Sequence, residues 1–202
     1  MDRLRHPAFW STLDLAPQKY FVLTLHRPAN VDHAESFAAL IAEISKATRG
    51  EKVIFPVHPR TAKTLRAIGP LPENTITVDA QPYLELNFLV KHARGVITDS
   101  GGITKETTVM GVPCITLRST TERPETVTIG TDEVIGSDPS ALKSALDRIF
   151  SGRWKKGGIP DLWDGHGRRA NRRSPYANSS FGDTTSGGMI SAWFRQIDSR
   201  SH

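Results

Sequence analysis

The chain has 202 residues, 38% of them hydrophobic and 23% charged, a composition that suits one large domain or a domain with a tail and is too apolar for a disordered chain. Its formal net charge of +5 and pI near 9.6 suggest an acidic partner, yet residues 1–152 carry 17 basic and 17 acidic side chains while the last fifty hold 9 and 4. The excess belongs to the tail, so the body carries no bulk field for nucleic acid. One cysteine, Cys114, excludes an internal disulfide and a cysteine-based zinc site. No apolar run approaches the roughly 18 residues of a membrane span, and MDRLRHPAFWSTLDLAP at the start lacks the apolar core of a signal peptide. A cytoplasmic protein is expected.

From Tyr20 onward short apolar runs alternate with amphipathic stretches. YFVLTL (20–25) predicts a buried strand, and HAESFAALIAEISKA (33–47) a helix with Phe37, Leu40, Ile41 and Ile44 at helical spacing. KVIFPV (52–57) is the next strand, followed by a short helix over 61–68 that Gly69-Pro70 closes. A strand at 75–78, a helix at 83–93, a strand at 95–98, a helix at 103–110, a strand at 114–117 and a helix at 139–150 complete the series. Such alternation predicts an α/β fold, a Rossmann-like doubly wound parallel sheet. After Gly152 the pattern fades, and residues 167–202 are rich in Arg, Ser, Gly and Asn. That basic tail is expected to be mobile, with one short helical patch at 189–197.

In doubly wound sheets ligands bind beyond the carboxyl ends of the strands. Five loops lie there, HRPANVD (26–32), HPRT (58–61), DAQPY (79–83), DSGG (99–102) and RSTTERPE (118–125). DSGG joins a strand to a helix, a geometry that offers free amides and a helix N-terminus to a phosphate. Gly101 and Gly102 admit close approach, Ser100 adds a hydroxyl, and Glu106 stands one turn in, where a carboxylate can accept from a ribose diol. By itself the turn reads more simply as a helix cap supplied by Asp99 or Ser100. Arg118 and Arg123 flank the last loop and could grip phosphate, although local pairing of Glu122, Arg123 and Glu125 accounts for it equally well. His26 and His58 follow neighbouring strands directly, placed either to meet a diphosphate or shuttle a proton, or to satisfy strand-end carbonyls. Together the loops describe a nucleoside diphosphate site. Neither a Walker A loop nor the G-x-G-x-x-G fingerprint is present, and no metal ligand set is apparent.

LTLHRPANVD (23–32), FPVHPRT (55–61), YLELNFLVKHARGVITDSGGITKE (83–106), GVPCITLRSTTERPETV (111–127) and PDLWDG (160–165), in this order, resemble the non-hydrolysing UDP-N-acetylglucosamine 2-epimerase family over residues 18–166. TDSGG joined to TERPE is the specific part. The resemblance implies the C-terminal half of a glycosyltransferase B-type two-domain fold: residues 1–19 lead in at the hinge region, 20–166 form the UDP-binding domain and 167–202 are the tail. It implies that His26 lies beside the UDP diphosphate and acts in catalysis, with His58 a second active-site histidine. Gln81 and Leu86 fall where uracil is held, Leu86 where the family often has an aromatic. Ser100, Gly101 and Gly102 resemble the phosphate loop, Glu106 the ribose carboxylate and Arg123 the organising arginine of TERPE. Lys105 departs from an acidic residue common at that place.

The implied reaction interconverts UDP-N-acetylglucosamine and UDP-N-acetylmannosamine, for polysaccharide biosynthesis, by elimination of UDP to a glycal and re-addition on the other face, with no cofactor and no metal. Its proton-transferring carboxylates lie in the family's N-terminal Rossmann half, absent from this sequence, so the chain is expected to bind UDP without turnover by itself. The expected partners are UDP-N-acetylglucosamine or UDP and the missing half, with a homodimer left open and neither a specific nucleic acid nor a membrane among them. Two alternatives stand beside this reading: half of a UDP-sugar glycosyltransferase or hydrolysing epimerase, and a non-catalytic nucleotide-binding module.

Overall fold

The computed structural model describes residues 4–161 and 163. The chain forms two compact units, Met1–Gly158 and Ile159–His202. All helices and strands described lie in the first; in the second, Pro160 accepts a backbone hydrogen bond from Trp163 at 3.2 Å, and the predicted tail 167–202 lies outside the described residues.

Six strands, β1 (Tyr20–Thr24), β2 (Lys52–Val57), β3 (Thr75–Asp79), β4 (Gly95–Thr98), β5 (Cys114–Thr116) and β6 (Asp132–Val134), form one sheet in the order β3-β2-β1-β4-β5-β6. Every neighbouring pair is parallel. Between them run α1 (Pro28–Val31), α2 (Ala34–Ala47), α3 (Pro59–Ala67), α4 (Tyr83–His92), α5 (Ile103–Met110), α6 (Pro124–Thr128) and, last, α7 (Pro139–Phe150). This is the doubly wound α/β architecture expected, and the strand order reverses between β1 and β4.

The central strands are apolar throughout because helices cover both faces. On one face Phe21, Leu23, Val53, Phe55 and Ile97 pack with Phe37, Ile41 and Ile44 of α2 and Leu142, Leu146 and Ile149 of α7. On the other, Tyr20, Val22, Ile54 and Val96 pack with Leu89 and Val90 of α4, and Phe9, Trp10 and Leu13 from the N-terminal segment close over them. Tyr20, fully buried, donates its hydroxyl to the Leu89 carbonyl at 2.6 Å. Burial pushes that phenol well above its ordinary pKa.

Three elements depart from the expected series. β6 had no apolar run to announce it: its Asp132 is fully buried and accepts from Thr116 Oγ1 at 2.6 Å and from Thr126 Oγ1 at 3.3 Å. The short helices α1 and α6 lie inside stretches read as loop. Each starts with proline at its first turn, the position where a missing N–H costs nothing. α3 likewise begins at Pro59, two residues before the expected start.

Candidate nucleotide site

The seam between β1 and β4 sets the site. Thr24 and Thr98 are register partners whose hydroxyls meet at 2.7 Å. Directly beyond them, the fully buried Asp99 turns back toward the β1 loop. Its carboxylate accepts from the backbone amides of His26 at 3.2 Å and Arg27 at 2.9 Å and from Asn30 Nδ2 at 3.1 Å, and His26 Nδ1 stands 3.1 Å away. Burial alone would raise the Asp99 pKa, but the His26 hydrogen bond and charge, with the Arg27 and Asn30 contacts, outweigh it and hold the carboxyl below its usual value. Asp99 is thus a strut that fixes the His26 loop. Asn30 reinforces it by donating also to the Leu117 carbonyl at 3.3 Å.

His58 caps α3, its Nδ1 accepting from the Arg60 amide at 3.1 Å. The two histidine rings lie 6.0 Å apart, so the predicted pair is brought together. Burial, the neighbouring His26 and then Arg60 all depress the His58 pKa.

The DSGG turn is supported from below. Thr98 Oγ1 accepts from the Ser100 amide at 2.9 Å, and Ser100 Oγ accepts from the Gly102 amide at 3.3 Å. α5 then starts at Ile103 with no side chain capping its N-terminus, which leaves that end to an incoming anion. Glu106, one turn in, receives the Tyr83 hydroxyl on Oε1 at 3.5 Å, while its Oε2 is buried with no hydrogen-bond partner among the described residues. Burial raises the Glu106 pKa despite the opposing backbone contact and the nearby Lys105 charge. Beside Gly101, Arg118 Nη1 is also buried with no hydrogen-bond partner among the described residues. It stands 3.5 Å from where a side chain on Gly101 would begin, an ordinary van der Waals contact, so the guanidinium lies directly against the turn.

Arg123 is the residue preceding α6, and its carbonyl accepts from Thr126 Oγ1 at 2.8 Å. Gln81 folds its amide onto the Asp79 carbonyl at 2.8 Å in the loop after β3, and Leu86 packs partly buried against the second core cluster. Tyr83, which lies between these two in sequence and touches Glu106, is a site-lining aromatic that the motif reading passed over. Asp99 was legible only as a cap. Glu122 pairs not with Arg123 but with Arg118 at 3.1 Å and Arg27 at 3.5 Å. Among the described residues no group of three His, Cys, Asp or Glu side chains could hold a metal ion, and no helix is long and apolar enough to cross a membrane.

The sequence of residues 2–172 matches the family model described as UDP-N-acetylglucosamine 2-epimerase. The chain belongs to this family. Among family members, the UDP-N-acetylglucosamine 2-epimerase of Methanococcus maripaludis is 36% identical over 180 residues, 86% of this chain and 43% of that protein. That of Methanocaldococcus jannaschii is 38% identical over 145 residues, 67% of this chain and 40% of that protein. The crystal structure of the M. jannaschii enzyme in complex with UDP-GlcNAc and UDP superposes with a TM-score of 0.67 at 31% identity, covering 83% of this chain and 48% of the other. The chain therefore spans less than half the length of these family members.

Proposed function

We propose that this chain is the UDP-binding, C-terminal half of a non-hydrolysing UDP-N-acetylglucosamine 2-epimerase, a cytoplasmic enzyme interconverting UDP-N-acetylglucosamine and UDP-N-acetylmannosamine for polysaccharide biosynthesis. The observation that carries this reading is a pair of buried groups near the DSGG turn with no partner among the described residues, an acceptor on Glu106 and a donor on Arg118. A buried polar atom left unpaired costs stability. A ribose diol on Glu106 and a phosphate oxygen on Arg118 would satisfy both, and the N-terminus of α5, which no side chain caps, offers further donors to the phosphate. The complex of the M. jannaschii relative with UDP-GlcNAc and UDP supports the same ligand class.

In this reading Ser100, Gly101 and Gly102 hold the diphosphate, and Arg123 organises the α6 side. Gln81 and Leu86 stand toward the base, although Leu86 offers no aromatic face for stacking. His26 and His58 line the diphosphate and the reacting end of the sugar. The proton on sugar carbon 2 has no adjacent carbonyl and is not acidic, so inversion proceeds by elimination of UDP and re-addition. UDP carries the developing negative charge and must be retained between the two steps, which is what a tight diphosphate grip achieves. The carboxylates that move protons belong to a complementary Rossmann-like half. Residues 1–19 lead into the domain at 20–166, and 167–202 form a tail.

Calorimetric titration with UDP and an assay of UDP-N-acetylglucosamine conversion test the proposal. Binding of UDP without turnover is expected. Turnover equal to that of a full-length relative would overturn the half-enzyme reading, and absence of UDP binding would overturn the site itself.

A further inference from the structure

Arg118 emerges just after β5 and is nine-tenths buried, its side chain only 10% exposed. Its two terminal nitrogens have different surroundings. Nη2 donates to Glu122 Oε1 at 3.1 Å, whereas Nη1, buried beside Gly101, donates to nothing among the described residues. The same Glu122 oxygen receives Arg27 Nη2 at 3.5 Å, and Arg27 is itself anchored through Nε to the Asp99 carbonyl at 3.0 Å. Glu122, by contrast, is 70% exposed. One solvated carboxylate thus bridges two guanidinium groups that both touch the DSGG segment, Arg118 beside Gly101 and Arg27 at the Asp99 carbonyl.

We infer that Arg118 is a diphosphate-binding residue of this site and that Glu122 is a displaceable internal anion that occupies its outer face until the ligand arrives. This rests on the UDP reading given above. A buried guanidinium with an unused donor is an unfavourable arrangement unless a partner comes to it. The exposed Glu122 contact contributes little and is screened by salt, so it yields readily to a phosphate, whose several oxygens can accept from Arg118 bidentately. Glu122 neutralises only one of the two arginines, whereas a diphosphate carries charge enough for both. The carboxylate then swings outward on the loop between Arg118 and α6, and its repulsion of the bound phosphate sets a modest tax on affinity.

The test uses the full 202-residue chain, titrated calorimetrically with UDP and separately with inorganic pyrophosphate. Arg118→Met, which preserves much of the buried stem, is expected to weaken UDP about tenfold or more and to abolish pyrophosphate binding. Glu122→Gln is expected to tighten both ligands about two- to fivefold at low ionic strength, with the gain fading at high salt. That gain should vanish in the double variant, because the two residues act on one another. Unchanged affinities in Arg118→Met while the parent binds UDP would overturn this inference and leave the UDP reading standing. Pyrophosphate binding that depends on Arg118, with no added affinity from the uridine of UDP, would do the reverse. Should Arg118→Met fail to fold, the exposed Glu122→Gln decides: weaker binding in that variant overturns the displacement, and tighter binding supports it.

Discussion

The buried carboxylate of Asp99 and the imidazole of His26 face one another at 3.1 Å across the seam between β1 and β4. The strand ends on either side are locked by the sheet, so this contact transmits the rigidity of the core to a loop that would otherwise move. His26 is held from its backbone and its ring at once, and both holds come from one side chain.

Asp99→Ala is accordingly expected to cost about 3 kcal/mol or more, since it leaves the His26 and Arg27 amides without their acceptor. Asp99→Asn should cost less. The folded pKa is held below the unfolded one, so the stability that the carboxylate contributes is fully present above about pH 4 and is lost as pH falls through the folded value. Urea midpoints followed into the acid range should fall steeply for the parent and more gently for Asp99→Asn; parallel slopes would refute this.

His58 has a separable structural task as the cap of α3. Replacement by alanine should cost about 1 kcal/mol, and replacement by serine, another capping side chain, should restore most of it without restoring the imidazole. Its depressed pKa means that the neutral ring is favoured in the fold. The associated stability is present above about pH 6.5 and is lost as pH falls through the folded value. An NMR titration of the His58 ring should give a midpoint below that of a free histidine.

For Glu106 the sign is opposite. Burial raises its pKa, so its contribution to stability is present below the unfolded value and disappears as pH rises through the folded one. Wherever it is ionised, the buried, half-satisfied carboxylate burdens the fold. Glu106→Gln should therefore raise the urea midpoint at neutral pH while weakening UDP about tenfold, a trade of stability against function. A variant that both loses stability and retains UDP affinity would contradict the assignment of Glu106 to the ribose.

Gly130, directly behind α6, tests how the TERPE segment is supported. A methyl group there would lie 2.3 Å from Thr108 Oγ1 and 2.6 Å from the Thr126 carbonyl. Gly130→Ala should cost about 2–3 kcal/mol through overpacking, measured by thermal or urea unfolding. Because Thr126 also holds the Arg123 carbonyl, UDP affinity should fall with it.

The sheet and most of its helices were legible because their signal is local: an apolar run, an amphipathic period, a glycine or proline at the boundary. β4, α5 and α7 lie where periodicity placed them. β6 was not legible, since its buried Asp132 is satisfied by two threonines on other elements, Thr116 on β5 and Thr126 in α6, and no apolar run marks the strand. The site divides in the same way. His26, His58 and the DSGG turn announce themselves by position after a strand, whereas the role of Asp99 as a strut, the orphaned Nη1 of Arg118 and the Glu122 bridge depend on which loops the strand order brings side by side. Spacing along the chain does not encode that.

The hydroxyl contact between Thr24 and Thr98 joins residues 74 positions apart. During synthesis β1 can pair with β2 soon after both are made, but its other edge has to wait until β4 leaves the ribosome. Through that interval an apolar strand stands half unpaired, open to the wrong neighbour. The seam from which the proposed nucleotide site is built closes only when that wait ends, so the growing chain cannot finish that region early.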